Sequence, residues 1–261
     1  MEMKVYVVNA FAEATFGGNP AAVVPLQEWP AEGLMQQIAS QHNLAETAFV
    51  VPQGGDFAIR WFTPSVEVAL CGHATLASAH VYFHHLGVER DTLVFHSKSG
   101  PLMVKKAPGG RLTLDFPEDP PVACELPPAL AAGLKTTPVA VFKTSFDYMA
   151  VLAGQQDIEN LSPDMGLLKT LPVRGVLVTA PGKETDFVSR CFFPQSGIDE
   201  DPVTGSAHTA LVPYWAGVLG KSKLAAVQLS QRRGYLACEW KQGRVLMTGR
   251  AATYLSGVIY I

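Results

Sequence analysis

Arg60-Trp61-Phe62-Thr63-Pro64 and, shortly after it, Gly72-His73-Ala74 decide the fold of this chain, because both are read again half a chain later. Arg190-Cys191-Phe192-Phe193-Pro194 repeats the R-x-F-x-P pattern 130 residues on, and Gly205-Ser206-Ala207 repeats the glycine-led start 133 residues on. A third echo keeps the spacing of 133: Gly110-Arg111-Leu112-Thr113-Leu114 against Gly243-Arg244-Val245-Leu246-Met247. One match is coincidence; three in the same order at near-constant spacing mean a duplication.

Outward from these anchors, short β-branched and aromatic runs bounded by Gly, Pro or polar residues predict strands at 5–8, 21–25, 47–51, 58–62, 93–95, 102–105 and 112–116. The second half predicts strands at 140–142, 150–152, 176–179, 187–193, 225–230, 235–240 and 245–248. Helices are expected at 32–41, at 73–86 with Gly87 as its C-cap, and at 206–219 with Gly220 as its C-cap. The runs 73–83 and 207–215 are apolar nearly all round, and a helix with no polar face is wrapped by other structure. The expectation is an α+β protein in which a curled sheet surrounds a central helix, built twice. Its halves are placed at 1–117, with room for the C-terminal strand at about 252–261 to join, and at 129–251. The Pro-rich stretch 118–128 is expected as the linker.

Composition narrows the function classes. With 48% hydrophobic and 16% charged residues the chain can bury a large core and is not disordered. The net charge of −3, without a run of Lys or Arg, excludes nucleic acid and membrane surfaces as expected partners. No apolar stretch approaches the roughly 20 residues of a membrane span. The first residues run directly into the strand at 5–8, so no leader is expected and a cytoplasmic location is. Cys71, Cys124, Cys191 and Cys238 are far apart, which suggests neither a zinc site nor a disulfide framework, but small buried hydrophobes. His80, His84 and His85 lack an H-E-x-x-H context, and no G-x-G-x-x-G or G-x-x-x-x-G-K is present, so no metal and no nucleotide cofactor are expected.

The paired helix starts carry the functional expectation. A helix N-terminus leaves N–H groups unpaired and attracts carboxylates, and a glycine there lets a ligand approach the backbone. Related by pseudo-twofold symmetry, the two starts would converge on one cleft between the halves. The bland alternative is that each merely begins a buried helix, with Ser206 or Thr204 as cap.

Several segments together strongly resemble the phenazine-biosynthesis PhzF-like family. They are Gly18-Asn19-Pro20-Ala21-Ala22-Val23-Val24, Asn43-Leu44-Ala45-Glu46-Thr47-Ala48-Phe49, Arg60 to Pro64 leading to Glu67 and Cys71-Gly72-His73-Ala74-Thr75, and Asp199-Glu200-Asp201-Pro202-Val203-Thr204-Gly205-Ser206-Ala207. The resemblance implies the diaminopimelate epimerase-like fold, two similar domains that are each a strand barrel around a central helix. It implies an isomerase of the kind that acts on trans-2,3-dihydro-3-hydroxyanthranilate without a cofactor, on a small carboxylic acid, often as a homodimer.

By the same resemblance Glu46 is the general base that becomes a general acid, and His73 and Asp201 complete the catalytic set. His73 heads a helix, which tends to keep an imidazole neutral. Backbone groups at Gly72, Ala74 and Gly205, the Ser206 hydroxyl and Asn19 are expected to hold the substrate. Without the motif, Glu46 reads as a surface residue, and Asp201 as one of three acids in a solvated turn. Cys71 falls where epimerases of this fold carry one of their two thiols; the second position, read at Asp201-Pro202, has none. An amino-acid racemase using Cys71 and Asp201, and a catalytically silent small-acid binding protein, are the rival readings.

Overall fold

The computed structural model describes residues 1–261, which divide into two units, Met1–Phe116 with Met247–Ile261 and Pro117–Leu246. The stretch 118–128 lies inside the second unit rather than between the two, and residues 247–251 belong to the first.

The first unit is built on β1 (Glu2–Ala10), β2 (Asn19–Pro25), α1 (Glu32–His42), β3 (Glu46–Gln53), β4 (Asp56–Phe62), β5 (Glu67–Val68), α2 (Gly72–His84), β6 (Thr92–Ser97), β7 (Gly100–Ala107) and β8 (Arg111–Pro117). The C-terminal strand, β18 (Ala251–Tyr260), pairs with β1. Pairing runs β18–β1–β2–β3–β4–β6–β7–β8, antiparallel except at β2–β3 and β4–β6, and β5 hangs on β4. Helix α2 packs on β18, β1, β2 and β3 near one end of this order and on β7 near the other, so the sheet curls round it. All its residues from Gly72 to Ala79 and from Val81 to Phe83 are buried. The helix ends at His84 with His85 as C-cap, short of the expected 86, and Gly87 lies beyond it at φ +66°.

The second unit contains β9 (Val122–Ala123), α3 (Pro128–Leu134), β10 (Ala140–Lys143), β11 (Asp147–Val151), α4 (Gln155–Glu159), α5 (Met165–Leu168), β12 (Gly175–Pro181), β13 (Phe187–Phe193), β14 (Ile198–Asp201), α6 (Gly205–Leu219), β15 (Lys223–Gln228) and β16 (Gly234–Lys241), with the unit boundary falling inside β17 (Arg244–Gly249). Its pairings β9–β10–β11–β12–β13–β15–β16 are parallel only at β11–β12 and β13–β15, with β14 on β13. From β18 to β7 and from β9 to β16 the two orders match strand for strand, with the parallel pairs at the same places, so the repeat seen in three motifs extends to the topology.

Around α6, Trp215 stacks on Phe187 and donates its Nε1–H to Thr179 Oγ1 at 2.9 Å, while Tyr214 meets Phe142. Pro213 sits inside α6 and has no N–H for the Thr209 carbonyl one turn back. The Asp119 N–H supplies that bond instead, at 3.0 Å. The three short helices α3, α4 and α5 carry too few turns for a periodic signal and were not expected from the sequence.

The R-x-F-x-P repeat has a shared structural task. Arg60 on β4 grips Glu67 on β5 with Nε to Oε1 and Nη2 to Oε2, both 2.8 Å; Arg190 on β13 grips Glu200 on β14 with the same two bonds at the same lengths. Each fork fixes the turn that leads into the central helix. Glu200 is therefore an ion-pair partner and not part of a solvated turn.

Candidate functional site

In the first unit the parallel pairing of β2 with β3 brings the starts of both strands to one edge, with Ala21 opposite Glu46. Asn19 opens β2 and Glu46 opens β3, and α2 begins beside them. Gly18 allows Asn19 to be there: its φ is +67°, and a Cβ would lie 2.2 Å from the Ala10 carbonyl oxygen.

These elements converge on the His73 ring. Glu46 Oε2 lies 3.1 Å from His73 Nε2, with the two side chains 13% and 5% exposed. On the other side of the ring, Asn19 Nδ2 donates to Nδ1 at 3.2 Å, and Cys71 Sγ lies 3.6 Å from the same nitrogen. A neutral ring therefore accepts at Nδ1 and carries its proton on Nε2, facing the carboxylate. Glu46 Oε2 and His73 Nε2 are both buried, and their approach is too poorly aligned to count as a hydrogen bond, so each keeps bonding capacity for another group.

Burial works against charge on His73, but Cys71 and Glu46 outweigh it and hold the imidazole well above its usual range. Against the expectation that the helix start keeps His73 neutral, Cys71 and Glu46 act in the opposite sense. Burial, and then Glu46, push the Cys71 thiol up. Gly72 and Ala74, the neighbours expected to offer backbone contacts, are buried at the start of α2.

The second unit places Asp201, Gly205 and Ser206 around the start of α6, and here the two units diverge. The position that opens β3 as Glu46 opens β12 as Gly175, opposite Asp147 in the same parallel register. A side chain is excluded there, since a Cβ would meet the Phe193 ring at 2.2 Å. Asp147, Arg174 and Ser206 form a chain instead: Arg174 Nε donates to Asp147 Oδ1 at 3.0 Å, Nη2 donates to Oδ2, and Nη1 donates to Ser206 Oγ at 3.2 Å.

Asp201 is buried, unlike its exposed neighbour Asp199, and its Oδ2 accepts from Thr204 Oγ1 at 2.5 Å. Thr204 is the N-cap residue of α6, as Cys71 is of α2, and neither caps through its side chain. By N-cap position the counterpart of Cys71 within this chain is Thr204. Cys191 supplies a thiol by another route, pairing with Asp201 across β13 and β14. Burial drives it far up, against a Thr204 hydrogen bond. Arg174 and Asp147 escaped the sequence reading, whereas Thr204 was expected only as a helix cap and Cys191 only as a small buried hydrophobe.

The histidine run near the end of α2 is differently engaged. His80 Nε2 and His85 Nε2 both reach Thr253 Oγ1, at 3.0 and 2.8 Å, and burial brings His80 down to about 4. No helix is long and apolar enough to cross a membrane.

A family model described as phenazine biosynthesis-like protein, PhzC-PhzF, matches residues 8–257. An uncharacterized isomerase of Pseudomonas aeruginosa is 48% identical over 261 residues, covering 100% of both chains. The crystal structure of a PhzF-family phenazine biosynthesis protein from Enterococcus faecalis covers 100% of both chains at 45% identity, with a TM-score of 0.96. A hydroxyproline epimerase from Agrobacterium vitis, at 10% identity, covers 99% of this chain and 92% of that one with a TM-score of 0.62, a likeness of fold. The chain belongs to the phenazine biosynthesis-like, PhzC-PhzF, family and has the diaminopimelate epimerase-like fold.

Proposed function

We propose that this protein is a cofactor-independent isomerase that moves a double bond in a small cyclic or amino carboxylic acid by proton transfer through Glu46. The observation that carries the reading is the Glu46–His73 pair, a half-buried carboxyl and a buried imidazole 3.1 Å apart whose facing atoms have bonding capacity to spare. The name of the Pseudomonas aeruginosa relative, an isomerase, agrees with it.

In the proposed reaction the Glu46 carboxylate takes a proton from a substrate carbon, and the C–H electron pair enters the adjoining π system. The same carboxyl then returns the proton to a different carbon, so atoms and electrons balance without an oxidant. His73 Nε2, 3.1 Å from the carboxyl, is assigned to hold Glu46 in place for both transfers. Asn19 is assigned to orient His73 rather than to touch the substrate. Asp201, Ser206 and the backbone N–H groups at Gly72, Ala74 and Gly205 are assigned to the substrate's polar groups. We place the protein in the cytoplasm as a homodimer.

The contact of Cys71 with His73 favours one second reading, a racemase in which the thiol carries the proton. NMR of products formed in deuterated buffer separates the two, starting from trans-2,3-dihydro-3-hydroxyanthranilate and a panel of small amino and cyclic carboxylic acids. A product with its double bond shifted is expected. Inversion at a single centre, with the double bonds unmoved, would overturn the isomerase reading.

A further inference from the structure

We propose that Glu46, Cys71 and His73 form a site for one thiophilic divalent cation of the zinc type, and that its occupancy switches off the acid–base pair. The inhibitory part rests on the isomerase reading; the binding part does not.

One ligand atom from each residue lies within 4.8 Å of the others. Tetrahedral zinc holds sulfur at about 2.3 Å and nitrogen or oxygen at about 2.0–2.2 Å, which sets donors roughly 3.3–3.7 Å apart. Cys71 Sγ to the His73 ring at 3.6 Å and His73 to Glu46 at 3.1 Å are already near that spacing. Those two approaches use different ring nitrogens, so one nitrogen must turn to serve the ion, at the expense of the Asn19 contact. With one nitrogen serving the ion, donors now up to 4.8 Å apart must draw together by about an ångström.

The donor chemistry is selective. A thiolate, an imidazole and a carboxylate favour zinc over magnesium or calcium, which prefer all-oxygen shells. Three protein donors leave a fourth position for water, the pattern of an exchangeable rather than a structural site. Bonding capacity is present where the ion needs it, since Glu46 Oε2 and His73 Nε2 are buried without an aligned hydrogen bond. The histidine run at the far end of α2 offers weaker competition, because the Nε2 atoms of His80 and His85 are engaged by Thr253.

The ion would compete directly with proton transfer. It takes the carboxylate lone pair that would accept the substrate proton, and it replaces the proton on one ring nitrogen. The thiol must ionise to bind and a ring nitrogen gives up its proton, so protons from both groups are released to the buffer.

The test uses the full-length reduced protein and zinc alone. Calorimetric titration in two buffers of different ionisation enthalpy is expected to give one ion per chain, with protons released on binding. Cobalt(II) is expected to give a thiolate-to-metal charge-transfer band. Cys71→Ser should remove that band and weaken zinc at least about tenfold, and Glu46→Gln should weaken it too. Cys124→Ser and His84→Ala are expected to bind as wild type. Wild-type binding in both Cys71→Ser and Glu46→Gln, or binding lost in His84→Ala, would overturn the site. A protein that binds no zinc also overturns it, while leaving the isomerase reading intact. Zinc bound with turnover undiminished would overturn the switch and the role of Glu46 with it.

Discussion

The Glu46 carboxylate and the His73 imidazole stand 3.1 Å apart, one at the first residue of β3 and the other at the second residue of α2. Burial opposes the charge on His73, and Cys71 and Glu46 reverse that effect. Glu46→Gln is therefore expected to lower the His73 titration midpoint, read from the ring-proton chemical shift by NMR. The linkage sign follows. With the folded pKa raised, the pair stabilises the fold fully below the unfolded value of 6.5, and the contribution fades as pH rises through the folded midpoint. An unchanged midpoint in Glu46→Gln would contradict the pairing.

Acid should loosen the fork that leads into α2. Hydrogen bonding from Arg60 holds the Glu67 carboxyl at about 2, against burial. A depressed carboxylate stabilises the fold fully above about 4.5, and this stability is lost as pH falls toward 2. Arg60→Ala should cost about 2–3 kcal/mol at neutral pH by urea unfolding, between an exposed and a buried pair. It should also flatten the acid limb of the stability profile. A profile parallel to wild type would show that the fork carries no such linkage.

Gly18→Ala should destabilise the first unit by at least about 2 kcal/mol, because the residue sits at φ +67° with a carbonyl oxygen where its Cβ must go. Asn19→Ala is the milder change. It should leave the melting temperature nearly unmoved, within a few degrees, and shift the Nδ1/Nε2 tautomer balance of His73, read from ¹⁵N shifts. Retained tautomer balance would show that Asn19 does not orient the ring.

Sedimentation equilibrium checks the proposed homodimer, with an expected mass twice the 28.0 kDa of the chain. A single species at 28.0 kDa would set the proposal aside.

Much of the architecture was legible because it is written twice. Arg60 and Arg190, Gly72 and Gly205 fixed the repeat, and the all-round apolar runs that follow named the two wrapped helices. The helices α3, α4 and α5 were not legible: with seven, five and four residues they are too short for periodicity to speak.

The site was legible where a motif crossed it and obscure elsewhere. Glu46 and His73 lie in strings that resemble a known family, and the fold brings them together. Arg174 gave no signal, because its meaning comes from Asp147 and Ser206, both distant in sequence. The asymmetry of the halves was visible as the lack of a second Glu46, but its cause was not. That cause is the Phe193 ring against Gly175, a packing relation no spacing rule encodes.

The most direct measurement is turnover by Glu46→Gln, with substrate binding measured on the same folded preparation. The proposed function predicts a loss of at least about 100-fold in turnover with binding largely retained, as expected when a general acid–base is removed. Turnover close to wild type would contradict the assignment of Glu46, and with it the isomerase mechanism proposed for this protein.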